Sequence, residues 1–243
     1  MTQASEPATT ERTNPLQRIA GVFVSPPETL RRIAGRPDWI VPLILIVVLS
    51  VASTLLVAPR LDFATGMRAQ FEKQGLSEEQ QERAIEMAEK IGSFSPIIAG
   101  FSAPLMLLLI AGVFMLAFRV FGGEGSFAQY FSLTTYAWMP QLVKSIILTG
   151  VMVFKLKVRV EELPTLVKSN PAFLAGDPID NPIPFAFLSS LDIFTIWTLV
   201  LMVIGYGFAS RMKRGRAAGL VIGIWAVVVI FKVAMAALRG AAA

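Results

Sequence analysis

Cysteine and histidine are both missing from the 243 residues. Without cysteine there are no disulfides, thiolate nucleophiles or thiolate metal sites. Without histidine there is no imidazole base or ligand, which removes most triads, zincins and haem sites. Charge is scarce as well, at 16% of residues, where a soluble domain carries roughly a quarter. No stretch between the apolar runs is long enough to build a core of its own. The first 38 residues are polar and basic with no early apolar core, so no signal peptide is expected. No Gly-x-Ser-x-Gly nucleophile elbow occurs. Carboxylate, lysine or serine chemistry is all that remains, and no constellation points to a reaction. The expectation is a non-enzyme with no catalytic, cofactor-binding or metal residues.

What is present is apolar. Hydrophobic residues make up 54% of the chain, and the mean hydropathy is +0.62. Five windows stand out, at 39–58, 96–118, 133–154, 188–210 and 217–238. The first two contain no charge, and the others hold only Lys144, Asp192 and Lys232. Each has 20 to 23 residues, and a bilayer core of ~30 Å needs about 20 residues at 1.5 Å each. The fold class expected is therefore an all-α integral membrane protein. It is a bundle of five transmembrane helices with short interfacial helices and an outer helical hairpin. Residues 1–14 are expected to be a disordered tail, and 15–238 a single membrane domain.

A net charge of +5 would suggest nucleic acid in a soluble protein. Here the charge lies beside apolar segments, so it reads as orientation in a bilayer, with no nucleic-acid partner. Arg211, Lys213, Arg214 and Arg216 fall in an acid-free connection, and the arm carries Arg12, Arg18, Arg31, Arg32 and Arg36. With five spans both lie on one side, which the positive-inside rule makes the cytoplasm and which leaves the C-terminus external. The opposing 59–95 loop mixes five basic with seven acidic residues, so the dense connection carries the assignment. Trp39, Tyr136 and Tyr206 fall near the same interface, although such rings also pack between helices.

Outside the spans, Ser25-Pro26-Pro27-Glu28 has the form of a capping box with proline inside the helix start. With Leu16, Ile19, Phe23, Leu30 and Ile33 it suggests short helices lying along the inner membrane face. In the first outer loop, Phe63, Met67 and Phe71 form a stripe, Gly75 breaks the chain, and Ser77 with Gln80 caps a second helix. That helix offers Glu79–Arg83 and Glu86–Lys90 at i,i+4. The second outer loop, with four Leu/Asn/Asp-Pro dipeptides, is expected to be irregular with one short helix.

The order of several short segments is similar to the bacterial branch of the Yip1 family. The segments are Ser25-Pro26-Pro27-Glu28-Thr29, Pro37-Asp38-Trp39, and Gly122-Gly123 with Phe127. Further along come Tyr136-Ala137-Trp138-Met139-Pro140 and Leu191-Asp192-Ile193-Phe194-Thr195-Ile196-Trp197. The resemblance runs from Asn14 to Leu238. It implies a cytoplasmic N-terminus, an all-helical membrane domain and no catalysis. Eukaryotic members sit in Golgi and endoplasmic reticulum membranes and associate with Rab-type small GTPases. This chain departs from them in its short arm, which leaves a GTPase partner unsupported. The match to bacterial members implies a bacterial cytoplasmic (inner) membrane.

Gly215, Gly219 and Gly223 form a small-xxx-small stripe for helix packing. The partner is either a second copy or, favoured by the short connection, the fourth span. Arg211, Lys213, Arg214 and Arg216 are a candidate lipid-headgroup contact as well as a topology signal. Pro104 and Pro140 invite kinks. Lys144, ~15 Å from the outer end of its span on helical rise, is a candidate buried polar site that should avoid lipid. Asp192 and Lys232, ~6 and ~9 Å deep by the same measure, are expected to form an intramembrane ion pair. The leading functional expectation is a scaffold or adaptor acting through helix packing. Its partners would be the bilayer, a membrane or cytoplasmic protein, or a second copy. The alternative is a small transporter or channel component using Lys144 and Asp192.

Overall fold

The computed structural model describes residues 14–62, 67–68, 71 and 75–241. The expected tail and Phe63 of the outer stripe lie outside these described residues; Met67 and Phe71 are helical. Five helices are long and apolar enough to cross a membrane, at Ile40–Arg60, Ser95–Val120, Phe127–Val153, Ile193–Ser210 and Arg214–Leu238. The protein is an all-α integral membrane protein, and we number these helices as spans one to five.

The arm departs from its expected place on the membrane face. Its first helix, Pro15–Val24, is capped by Asn14, which accepts from the Leu16 N–H while Gln17 answers the Asn14 N–H. The second helix, Pro26–Gly35, buries Thr29, Leu30, Ile33 and Ala34 along one stripe. Leu30, Ile33 and Val22 are fully enclosed in the same core as the spans. Ser25 makes no side-chain cap, and Glu28 pairs instead with Arg32 at 2.6 Å. The turn is so tight that a Cβ at Gly21 would stand 2.5 Å from Thr29 Oγ1, so glycine is required there. The arm is thus a small hairpin wedged against spans three and four. Phe23 packs edge-on to Trp197 at 5.2 Å, and Arg31 sits over the Phe208 ring at 5.1 Å.

Span three begins earlier than the 133–154 window. Ser126 and Gln129 form a capping box at its start, and the helix Phe127–Ala137 is buried without interruption from Tyr130 to Ala137. The chain breaks at Trp138 and restarts as Met139–Val153, with Pro140 near the new N-terminus, where its missing N–H costs least. Pro104 stays inside the continuous helix of span two. The rings of Phe114, Phe118, Tyr130 and Tyr206 meet at 5.1–5.7 Å. Tyr206 and Tyr136 are fully buried between helices, while Trp39 is partly exposed against Phe131.

At the end remote from the arm, named outer after the expected orientation, Glu78–Ser93 is a helix with the expected Ser77–Gln80 capping box and Glu79–Arg83 pair, the latter at 2.6 Å. The second outer loop carries more order than expected. Short helical turns cover Val160–Glu162, Leu163–Leu166 and Pro171–Ala175, and Pro182–Leu188 forms a separate helix packed on span five. A two-residue parallel bridge joins Leu61–Asp62 to Val158–Arg159. Arg159 reaches Glu162 at 2.7 Å and Asp177 at 3.0 Å. These hydrogen bonds, first to Glu162 and then to Asp177, hold its proton more firmly than usual.

Candidate functional site

Asp192 organises the outer end of the bundle. Span four starts at Ile193, not at 188, so Asp192 is its N-cap rather than a residue one turn inside. Its Oδ1 accepts from the N–H groups of Phe194 at 3.0 Å and Thr195 at 3.3 Å. The other oxygen, Oδ2, accepts from Lys144 Nζ at 2.8 Å and from the Ser169 hydroxyl. Asn170 Nδ2 stands 3.5 Å from the same oxygen and donates to Pro164 O at 2.7 Å. The Ile193 N–H closes the arrangement on Ser169 O at 3.0 Å. One carboxylate therefore ties span three, span four and the second outer loop together. Only 2% of its side chain is exposed, against 24% for Lys144.

The pair expected between Asp192 and Lys232 is corrected. Lys232 Nζ donates to the hydroxyls of Ser189 at 2.8 Å and Ser190 at 3.2 Å, in the turn just before Asp192. The depth argument failed because it counted Asp192 as four residues inside a helix that begins after it. Lys144, deeper in its span and expected to be the weaker partner, reaches the helix end through its long flexible stem. Next to it, Gln141 Nε2 approaches Thr195 Oγ1 at 3.3 Å and Thr198 Oγ1 at 3.4 Å. Ser53 of span one meets Ser145 at 3.2 Å and also Thr149. A polar seam thus follows span three toward its outer end. Among the described residues, no group of three Asp or Glu could hold a metal ion.

The glycine stripe does not pack where the sequence favoured. A Cβ added at Gly215, Gly219 or Gly223 would meet no described atom within 4 Å. Span five turns Ala217 and Val221, both fully buried, toward span four, with the Ala217 Cβ 3.8 Å from a Cβ built on Gly207. Those positions lie two residues, or about 200°, round the helix from the glycines. The stripe faces outward.

At the opposite end, the loop after span two lies against the end of span four. The Glu124 N–H donates to Ser210 O at 3.0 Å and Tyr130 Oη donates to Glu124 O at 3.0 Å. Arg211 takes a left-handed φ of 55° and pairs with Glu124 at 3.0 Å. Arg211, Lys213 and Arg216 line one cavity with Gly122, Glu124, Ser210 and Met212, while Arg214 does not.

Ser169, Asn170, Ser189, Ser190 and Glu124 were not singled out by sequence reading. A usable signal existed for Ser189 and Ser190. Asp192 before an apolar run is a helix-start signature, and placing the helix start there makes the preceding polar residues its neighbours.

Comparison with known proteins agrees with this architecture. The Yip1 domain matches residues 20–235. The membrane protein YknW of Bacillus subtilis (strain 168) is 27% identical over 233 residues, covering 92% of this chain and 93% of that protein. No solved structure matches. Neither description denotes a catalytic activity. Since the domain match runs from the arm to the outer part of span five, the chain belongs to the Yip1 family.

Proposed function

We propose that this chain is a non-enzymatic scaffold or adaptor of a bacterial cytoplasmic membrane, with its N-terminus cytoplasmic and its C-terminus external. The observation that carries the reading is the saturation of Asp192. Both carboxylate oxygens are engaged by Lys144, Ser169 and two backbone N–H groups. A charge bound on all sides fixes structure; a solute or proton relay needs a vacant lone pair or a partner that changes. The outward glycine stripe supports the same reading, because glycines let a second backbone approach closely in lipid. Orientation rests on the acid-free Arg211–Arg216 connection and the basic arm.

Crosslinking in native membranes followed by purification tests the role. A stoichiometric protein partner, or a second copy lost on Gly219→Leu, is expected. Recovery of the chain alone, with vesicles that release a solute in an Asp192-dependent way, would establish the transporter instead. That rival draws on Lys232 and its serine hydroxyls at the level of the Lys144–Asp192 pair. Orientation has its own test, which the absence of native cysteine makes clean. A cysteine at Ser77 should react with an impermeant maleimide in intact cells and one at Gly215 should not. The opposite pattern inverts the topology.

A further inference from the structure

The end of the bundle that carries the arm holds a cluster of cations whose placement is electrostatically unfavourable as it stands. Span five begins at Arg214 and has no acidic residue in its first turn. Lys213, Arg214 and Arg216 instead crowd a helix N-terminus, where the backbone dipole already presents partial positive charge. A topology signal requires only that such charges lie on one side of the membrane. It does not require a shaped cavity, and here there is one. It is a cleft of about 270 Å³, open on one side, between the Gly122–Glu124 loop and the connection from Ser210 to Arg216.

The loop that contributes Gly122 and Glu124 to the cavity is held firmly. The Gly123 N–H donates to Phe118 O at 2.8 Å, and a Cβ there would stand 2.9–3.1 Å from Phe118 O, Met212 Sδ and Ser210 Cβ. Gly125, at φ +104°, is pressed as closely on Ala209 O. The loop can lie against span four only because these residues lack side chains. The lining carries three cations and one carboxylate, Glu124, which Arg211 holds at 3.0 Å in an exposed pair. Exposed pairs contribute little and re-form readily. The lining also includes Met212, and the exposed Val120 and Phe121 lead into Gly122 at the end of span two. Apolar surface therefore adjoins the charges at the level where a bilayer places its phosphates.

From this geometry we infer that the cavity is a binding site for the phosphate headgroup of an anionic phospholipid, with Arg211, Lys213 and Arg216 as its cations and Glu124 as an internal competitor. Guanidinium groups hold phosphate oxygens through paired N–H donors, and the bound anion relieves the crowding at the helix N-terminus. Occupancy frees Arg211 from Glu124. The inference holds for either orientation of the chain and does not depend on the scaffold reading.

The full chain in neutral detergent can be titrated with phosphatidylglycerol, phosphatidylcholine and inorganic phosphate, with bound lipid read by native mass spectrometry. Phosphatidylglycerol should bind more tightly than phosphatidylcholine. Arg216→Gln should weaken it about fivefold, the effect of one basic residue near an anionic surface. Arg214→Gln, equal in charge but outside the cavity, should change binding less than about twofold. Glu124→Gln should tighten it several-fold, a gain that misfolding cannot mimic. Equal binding of the two lipids overturns the proposal. So does a loss in Arg214→Gln as large as that in Arg216→Gln, or weaker binding in Glu124→Gln. Displacement of phosphatidylglycerol by an equal concentration of inorganic phosphate overturns the lipid assignment in favour of a free anion. Arg216 and Glu124 are exposed, so these single variants should retain the fold.

Discussion

The two ends of the bundle are closed by different chemistry. At the arm end, spans three and four are sealed by apolar and aromatic groups. Leu30, Ile33 and Val22 of the arm enter a core that also holds the Phe118, Tyr130 and Tyr206 rings. Its polar contacts are dispersed: Thr134 meets Tyr206 at 2.8 Å, Gln129 Nε2 donates to Ala34 O at 2.7 Å, and Arg18 stands 3.8 Å from Asp38. The outer end is sealed by one carboxylate with Lys144, Ser169 and the first backbone N–H groups of span four around it. Many contacts share the first closure, so each carries only a part of it. The second converges on one residue, and losing that residue strands several donors together.

Asp192→Ala should therefore give the largest effect of any single substitution. It leaves Lys144 an uncompensated charge, about 3–5 kcal/mol for a broken buried pair, and it also removes a helix cap. A fall in thermal midpoint in detergent larger than that of any arm variant is the expected readout. The pairing can be sharpened with a mutant cycle. Asp192→Asn with Lys144→Met should recover much of the single losses, whereas Asp192→Asn with Lys232→Met should lose additively. Recovery in the second cycle would mean that Lys232 is the true partner.

Next in size comes Leu30→Ala, at about 3 kcal/mol for a fully enclosed leucine. It should speed hydrogen exchange across Pro26–Gly35 and leave the outer end protected. An arm lying on the membrane surface would show almost no change in stability. The smallest effect expected is that of Tyr206→Phe, about 1 kcal/mol, because Thr134 keeps its bond to Tyr130 O at 2.7 Å. A loss as large as that of Asp192→Ala would show that the arm end also hangs on a single polar group.

The contrast also marks what the sequence could reveal. Uninterrupted apolar runs with few charges made the five spans and the membrane setting legible from length and composition. The Ser77–Gln80 box and the Glu79–Arg83 pair were readable because each is settled within one turn of helix. The contacts around Asp192 were not, because they depend on where a helix starts, on Lys144, 48 residues away, and on a loop folded back from 22–23 residues upstream. Extending the window to Leu188 moved Asp192 inward by one turn and chose the wrong lysine. Apolar residues in the arm suit a membrane surface as well as a protein core. Composition cannot separate the two, since lipid and side chains are equally apolar. The glycines misled for a related reason: spacing shows which residues share a face but not which way that face points.

The buried position of the arm sets an order on assembly. The chain emerges from its N-terminus, so Val22, Leu30 and Ile33 are made before any span. Their resting place lies against Ile193–Ser210, which is synthesised more than 150 residues later. At ~5–20 residues per second, the apolar stripe of the arm must wait on the order of ten seconds or more for its seat. During that interval span three, once made, covers part of it, and the membrane surface or a chaperone must cover the rest. A segment translated before the spans is thus among the last to be fully placed, and a chain halted before its fourth span would display that stripe as a mark of incompleteness.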